Sequence, residues 1–170
     1  MVKKRIIIIS IMIAVLISIL MVLKYTQYIM VWQANPKINV DGILLMMTEN
    51  EIKSLLGKEE EYIPGFGGYF LKYPGKGVSL TFLDDMDTDF YHKVNKIEIT
   101  NEKYEIFDVK VGDDYENAIN SIRNHGFRKQ IEGFSGYWKN NMYIVLEKDY
   151  DQVKSIAIGV NDRVSSTRVY

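Results

Sequence analysis

The chain contains no cysteine. That absence excludes disulfides, thiolate metal sites and lipid attachment through an N-terminal cysteine, so a folded domain must be held by its apolar core alone. The two histidines, His92 and His125, stand far apart, and neither has a second His or an acid at ligand spacing on its own element. No metal site and no cofactor are expected. An excess of positive charge is also missing. Residues 1 to 24 hold four of the 21 basic residues and none of the 22 acidic ones, which leaves 17 against 22, a net charge of −5, for the remainder. A nucleic-acid surface needs clustered Lys and Arg to release counterions, so no nucleic-acid partner is expected.

What the chain does have is a long apolar run from Ile6 to Leu23, broken only by Ser10 and Ser18. At about 1.5 Å per residue eighteen residues cover roughly 27 Å, close to the hydrocarbon thickness of a bilayer. The run therefore predicts a single-pass transmembrane helix with the membrane as a partner. Lys3, Lys4 and Arg5 precede it, which predicts a cytoplasmic N-terminus and an extracytoplasmic remainder at the cell membrane. No small-x-small cleavage site follows, so the segment reads as an uncleaved signal anchor. Tyr25, Tyr28 and Trp32 share one helical face where an interfacial belt would sit.

The expected organisation follows from these signals. Residues 1–32 form a cytoplasmic tip, a transmembrane helix and its interfacial extension, and 33–41 (QANPKINVD) form a polar linker. Residues 42–160 form the folded part, and 161–170 a polar tail.

The folded part contains an internal repeat. Ile63-Pro64-Gly65-Phe66-Gly67-Gly68-Tyr69-Phe70 and Ile131-Glu132-Gly133-Phe134-Ser135-Gly136-Tyr137-Trp138 agree at five of eight positions at an offset of 68. Similar signals flank both copies. Upstream, Thr48-Glu49-Asn50-Glu51 is a capping box, and Asp113-Asp114-Tyr115-Glu116 offers the same chemistry. The first helix should turn Ile52, Leu55 and Leu56 inward and stop at Gly57; the second should turn Ala118, Ile119 and Ile122 inward and stop at Gly126. Downstream, Val78, Leu80 and Phe82 alternate as one strand face, and Met142, Ile144 and Leu146 as its counterpart. An acidic turn follows each, Asp84 to Asp89 and Glu147 to Asp151, before the matching strands Val94–Ile99 and Val153–Ile158. The pattern predicts an α+β domain: two helix-strand-strand-strand repeats, 42–103 and 104–160, forming antiparallel sheet with both helices on one face. A unit of that size is too small to be stable alone, so the two copies should share a core.

The Met47-Thr48-Glu49-Asn50-Glu51-Ile52 start, the Leu55-Leu56-Gly57-Lys58 stop and the strands that follow resemble the repeat of the outer-membrane assembly factor BamE (SmpA/OmlA) and β-lactamase inhibitor protein superfamily. The resemblance covers about residues 42 to 160 as two tandem units. Two departures stand out: the assembly factor carries a lipid anchor where this chain has an apolar run, and each unit here has one helix where the family often has two. The resemblance implies a protein-binding module without catalysis.

The candidate chemistry agrees with that implication. Asp85, Asp87 and Asp89 begin like a calcium loop, but Phe90 stands where a sharp turn needs Gly and Lys96 where the closing Glu belongs, so a solvated acidic turn is expected. Ser135 lacks the spacing of a nucleophile elbow, and Gly65-Phe66-Gly67-Gly68 has no Lys-Ser/Thr closure for a phosphate. No acid, base and nucleophile group emerges for an envelope hydrolase, and no enzyme is expected. The aromatics supply the contact candidates: Phe66, Tyr69, Tyr73, Phe134, Tyr137 and Trp138, with Phe70 and Tyr143 beside them. Strand alternation sends neighbours such as Tyr69 and Phe70 to opposite faces, so half of this set should pack the core and half should face a partner. The expected function is a membrane-anchored, extracytoplasmic, non-catalytic module that binds a protein or envelope component. The alternative is a tethered inhibitor or immunity-type protein whose two acidic turns insert into an enzyme or toxin.

Overall fold

A computed structural model describes the backbone of residues 2–129 and 136–162, and the side chains of all of these except 2–10, 20, 22–24 and 27. Helix α1 (Val2–Ala34) leads into a 3₁₀ turn (Asn35–Lys37) and strand β1 (Ile38–Asn39). The first unit follows as α2 (Glu49–Leu56), β2 (Glu61–Gly65), β3 (Gly68–Tyr73), β4 (Val78–Leu83) and β5 (Val94–Ile99). A short hairpin, β6 (Glu105–Ile106) and β7 (Val109–Lys110), separates it from the second unit. That unit is α3 (Tyr115–Asn124), β8 (Arg128–Lys129), β9 (Tyr137–Lys139), β10 (Met142–Asp149) and β11 (Gln152–Val160).

Local chemistry explains the helix boundaries. Thr48 caps α2 by accepting from the Glu51 amide, while the Glu51 carboxylate accepts from the Thr48 amide at 2.7 Å, and Gly57 closes the helix at φ 84°. Asp114 caps α3 by accepting from the Asn117 amide at 2.9 Å. Ala118, Ile119 and Ile122 are buried as their spacing predicts. In α2 Ile52 is buried and Leu56 packs partly against the core, whereas Leu55, roughly 60° round the helix from Ile52, is exposed.

One eight-stranded antiparallel sheet has the order β2-β3-β4-β5-β11-β10-β9-β8. Each unit is thus a four-stranded meander, and the units meet through their last strands. At the seam Ile97 pairs with Ile158, Glu98 with Ala157 and Ile99 with Ile156. Glu98 and Ala157 hold equivalent places in the two units, so the pairing runs about a local two-fold axis. The core face carries a cross-sheet row of Leu71, Leu80, Ile97, Ile158, Ile144 and Tyr137, all buried. That face forms one cluster with Ile52 of α2, Ile119 and Ile122 of α3, Met30 and Val31 of α1, and the small sheet β1-β6-β7.

Three expectations change. Among the described residues no helix is long and apolar enough to cross a membrane. This corrects the transmembrane helix and signal anchor, and with them the single-pass placement at the cell membrane with an extracytoplasmic domain. The C-terminal end of α1 packs on the domain instead, with Met30, Val31 and Ala34 buried in its core. Second, each unit has four strands after its helix. In the first unit the extra strand runs into the repeated motif, which forms a hairpin: β2 carries Ile63, Pro64 and Gly65, Gly65 pairs with Gly68, and Gly67 supplies the φ of 76° that the two-residue turn requires. Third, residues 33–41 are built into the fold. Ile38 and Val40 are buried, β1 pairs with β6, and the Asn35 side chain accepts from the Leu45 amide at 3.0 Å.

Candidate functional site

Strand alternation gives the large sheet a second face with its own composition. One row crosses it from Ile63 through Phe70, Thr81, Lys96, Gly159 and Tyr143 to Trp138. The neighbouring row runs Glu61, Lys72, Ser79, Glu98, Ala157 and Val145. Most of these side chains are half-buried against one another, unlike the exposed polar face usual for a sheet packed on one side.

A groove of about 460 Å³ opens on this face over the first unit, lined by Ile63, Phe70, Lys72, Ser79, Glu98 and Thr100 and rimmed by Pro74 and Gly77. Its size falls in the range of about 300–1,000 Å³ common for binding clefts. Ile63 and Phe70 supply apolar surface, and the two charges stand on either side of Ser79. The Glu98 carboxylate accepts from Lys96 Nζ at 2.8 Å. Lys72 has no ion pair among the described residues, although Glu61 lies opposite it on β2.

Beyond the seam the face is aromatic. The Tyr143 and Trp138 rings pack with centroids 5.3 Å apart. Tyr143 lies over Gly159, where any β-carbon would overlap its ring. Burial, with the charge of Glu98, pushes the Tyr143 hydroxyl up to about 12.

The sequence candidates separate by face. Tyr69, Tyr73 and Tyr137 are buried in the core, Trp138 stands on the outer face, and Phe66 projects from the β2–β3 turn at 92% exposure. Phe134 and Ser135 lie outside the described residues. The outward partners, Phe70 beside Tyr69 and Trp138 beside Tyr137, are the ones that reach the site. Ile63, Lys72, Ser79, Glu98 and Thr100 were missed. The signal that could have found them is the same alternation, read for the residues between the apolar positions.

A second cluster has catalytic residue types. The Tyr69 hydroxyl donates to Glu49 Oε2 at 2.6 Å and lies 3.5 Å from His92 Nδ1, while His92 Nε2 meets Asp84 Oδ1 at 2.9 Å. Burial and the Glu49 carboxylate push Tyr69 up. Burial works against the Glu49 charge, but Lys53 at 2.6 Å and the Tyr69 hydroxyl outweigh it and hold that carboxyl below its ordinary value. His125 makes an analogous pair with Asp108 at 2.6 Å. Among the described residues neither histidine hydrogen-bonds a serine or threonine, and no group of three or more His, Asp or Glu could hold a metal ion. Asp85 is buried rather than solvated, its carboxylate accepting from the Asp87 amide at 3.0 Å. This is an Asx turn that shapes the loop.

No family model matches the chain, and no curated protein does. A solved structure that it is similar to is an extracellular protein containing an SCP domain from Bacillus anthracis str. Ames, at 11% identity and a TM-score of 0.48. The likeness covers 69% of this chain and 44% of that one, so the chain spans under half of its neighbour's length. A likeness of that size carries no argument about function, and it does not bear on the resemblance to the assembly-factor and inhibitor superfamily.

Proposed function

We propose that this chain is a non-catalytic binding module that receives a protein partner on the outer face of its eight-stranded sheet. The observation that carries the reading is the groove of about 460 Å³, where apolar Ile63 and Phe70 adjoin the uncommitted ammonium of Lys72. Apolar area and a few placed charges are the composition of an interface centre. The aromatic pair Tyr143 and Trp138 extends that surface across the seam.

The inhibitor reading meets a topological obstacle. Because β5 and β11 run antiparallel, the turn at Asp84 to Asp89 lies at the end of the sheet near Val160, and the turn at Glu147 to Asp151 at the other end, near Thr100. One cleft cannot receive both. The test of the proposed reading is capture by tagged protein carrying Phe70→Ala with Lys72→Glu. Loss of a partner that the Leu55→Ala protein retains supports it, and equal capture by both refutes it.

A further inference from the structure

We propose that the free edge of β2 takes an extended segment of the protein partner by strand addition, the segment carrying a basic side chain opposite Glu61 and an aliphatic one opposite Ile63. This rests on the binding reading above and names how the partner is held.

The two edges of the large sheet differ. At one, the described residues of β8, Arg128 and Lys129, are both basic, a charge that discourages a further strand. At the other, β2 is five residues long, contains no basic residue and is exposed throughout, with Tyr62 and Ile63 presented to solvent. Pro64 removes one amide from that strand, a substitution that sheets tolerate at edges. In the register of the two-residue turn Glu61, Ile63 and Gly65 bond inward to β3, so the open side offers the Tyr62 amide and the Tyr62 and Pro64 carbonyls, a short template for another strand.

Three features fix the chemistry of that strand. The outer-face row already alternates in charge from Glu98 across Ser79 to Lys72 and Glu61, and Glu61 has no ion pair among the described residues. A cation beside Glu61 continues the alternation. Ile63 is both an edge residue and a wall of the groove, so an aliphatic side chain opposite it, about 4.8 Å further out, covers the open apolar side. On the core-side face, Phe82, Tyr69 and Tyr62 stack across the strands at centroid distances of 5.0 and 5.4 Å, and the outermost ring, Tyr62, is left to receive an apolar neighbour. Main-chain hydrogen bonds would supply affinity and these alternate positions specificity. A second copy of β2 fits poorly, since the strand contains no cation to place opposite Glu61.

The probe is a displayed library of random nonapeptides selected on the full-length chain. Enriched sequences should carry Lys or Arg two positions from Ile, Val or Leu. A representative synthetic peptide should lose binding when its alternate amides are N-methylated. It should bind Glu61→Lys protein about ten-fold more weakly and recover when its own basic residue is replaced by an acidic one. Thermal unfolding confirms that the Glu61→Lys protein is folded, and the N-methylated peptide tests the edge without changing the protein. Peptides that tolerate both changes but fail on Phe70→Ala protein overturn strand addition and leave the groove reading standing. No enrichment, or peptides indifferent to all three changes, overturns both. Self-association of the chain that Ile63→Lys abolishes assigns the edge to a second copy and overturns the proposal.

Discussion

Replacing Ile97 or Ile158 by alanine should weaken both halves of the domain together. The two side chains face each other across the β5–β11 seam, and each is 0% exposed. Each substitution deletes three carbons, worth about 2.4 kcal/mol in transfer free energy at ~0.8 kcal/mol per methylene, before any cavity is counted. The seam is covered on the core side by elements of both units, so collapse around the void is restricted. A loss of about 3–4 kcal/mol is expected, within the range for buried Ile to Ala. Because the residues touch, the double variant should depart from the sum of the singles by at least ~0.5 kcal/mol. Urea unfolding measures this, followed by far-ultraviolet circular dichroism for the whole chain and by Trp138 fluorescence for the second unit, in a Trp32→Phe background. The expected result is one transition, shifted alike for both probes. A loss below about 1 kcal/mol, or two separate transitions of which only one moves, refutes the shared core.

Gly159→Ala should drive the Tyr143 ring off the outer face, lowering its hydroxyl titration from about 12 toward 10.0; ultraviolet titration of the phenolate reads it, and an unchanged titration contradicts the packing. Glu49 sits below its ordinary 4.5, so the stability it contributes is present above that value and is lost as pH falls through the depressed one. Glu49→Gln should therefore destabilise the chain at neutral pH and flatten its stability curve on the acid side, and parallel curves for variant and wild type would show that the Tyr69 and Lys53 contacts contribute nothing. Thr48→Ala removes the cap of α2 and should cost about 1 kcal/mol in chemical denaturation, with Thr48→Ser close to wild type; equal losses for both would place the effect outside the capping hydroxyl.

Much of the fold was legible because its signals are local. The capping box of Thr48 and Glu51, the inward set of Ala118, Ile119 and Ile122, and the alternation through Val78, Leu80 and Phe82 each follow from contacts within a few residues. The seam was not legible, since antiparallel pairing of Ile97 with Ile158 depends on which edges remain free after the hairpins form. β2 was hidden for a different reason. Glu61 to Gly65 has no apolar alternation because neither of its faces is buried, and hydrophobic patterning has nothing to detect there. The site was legible by half: alternation placed Trp138 opposite in direction to Tyr137, whereas Lys72, Ser79 and Glu98 converge only through the register of three strands.

Site-specific photo-crosslinking tests the outer face most directly. A photoreactive residue at Ser79, inside the groove, should capture one discrete protein partner, and the same residue at Leu55, on the exposed side of α2, should not. The same adducts from both positions, or none from Ser79 while Leu55 captures a partner, would contradict the assignment of the binding surface to the sheet.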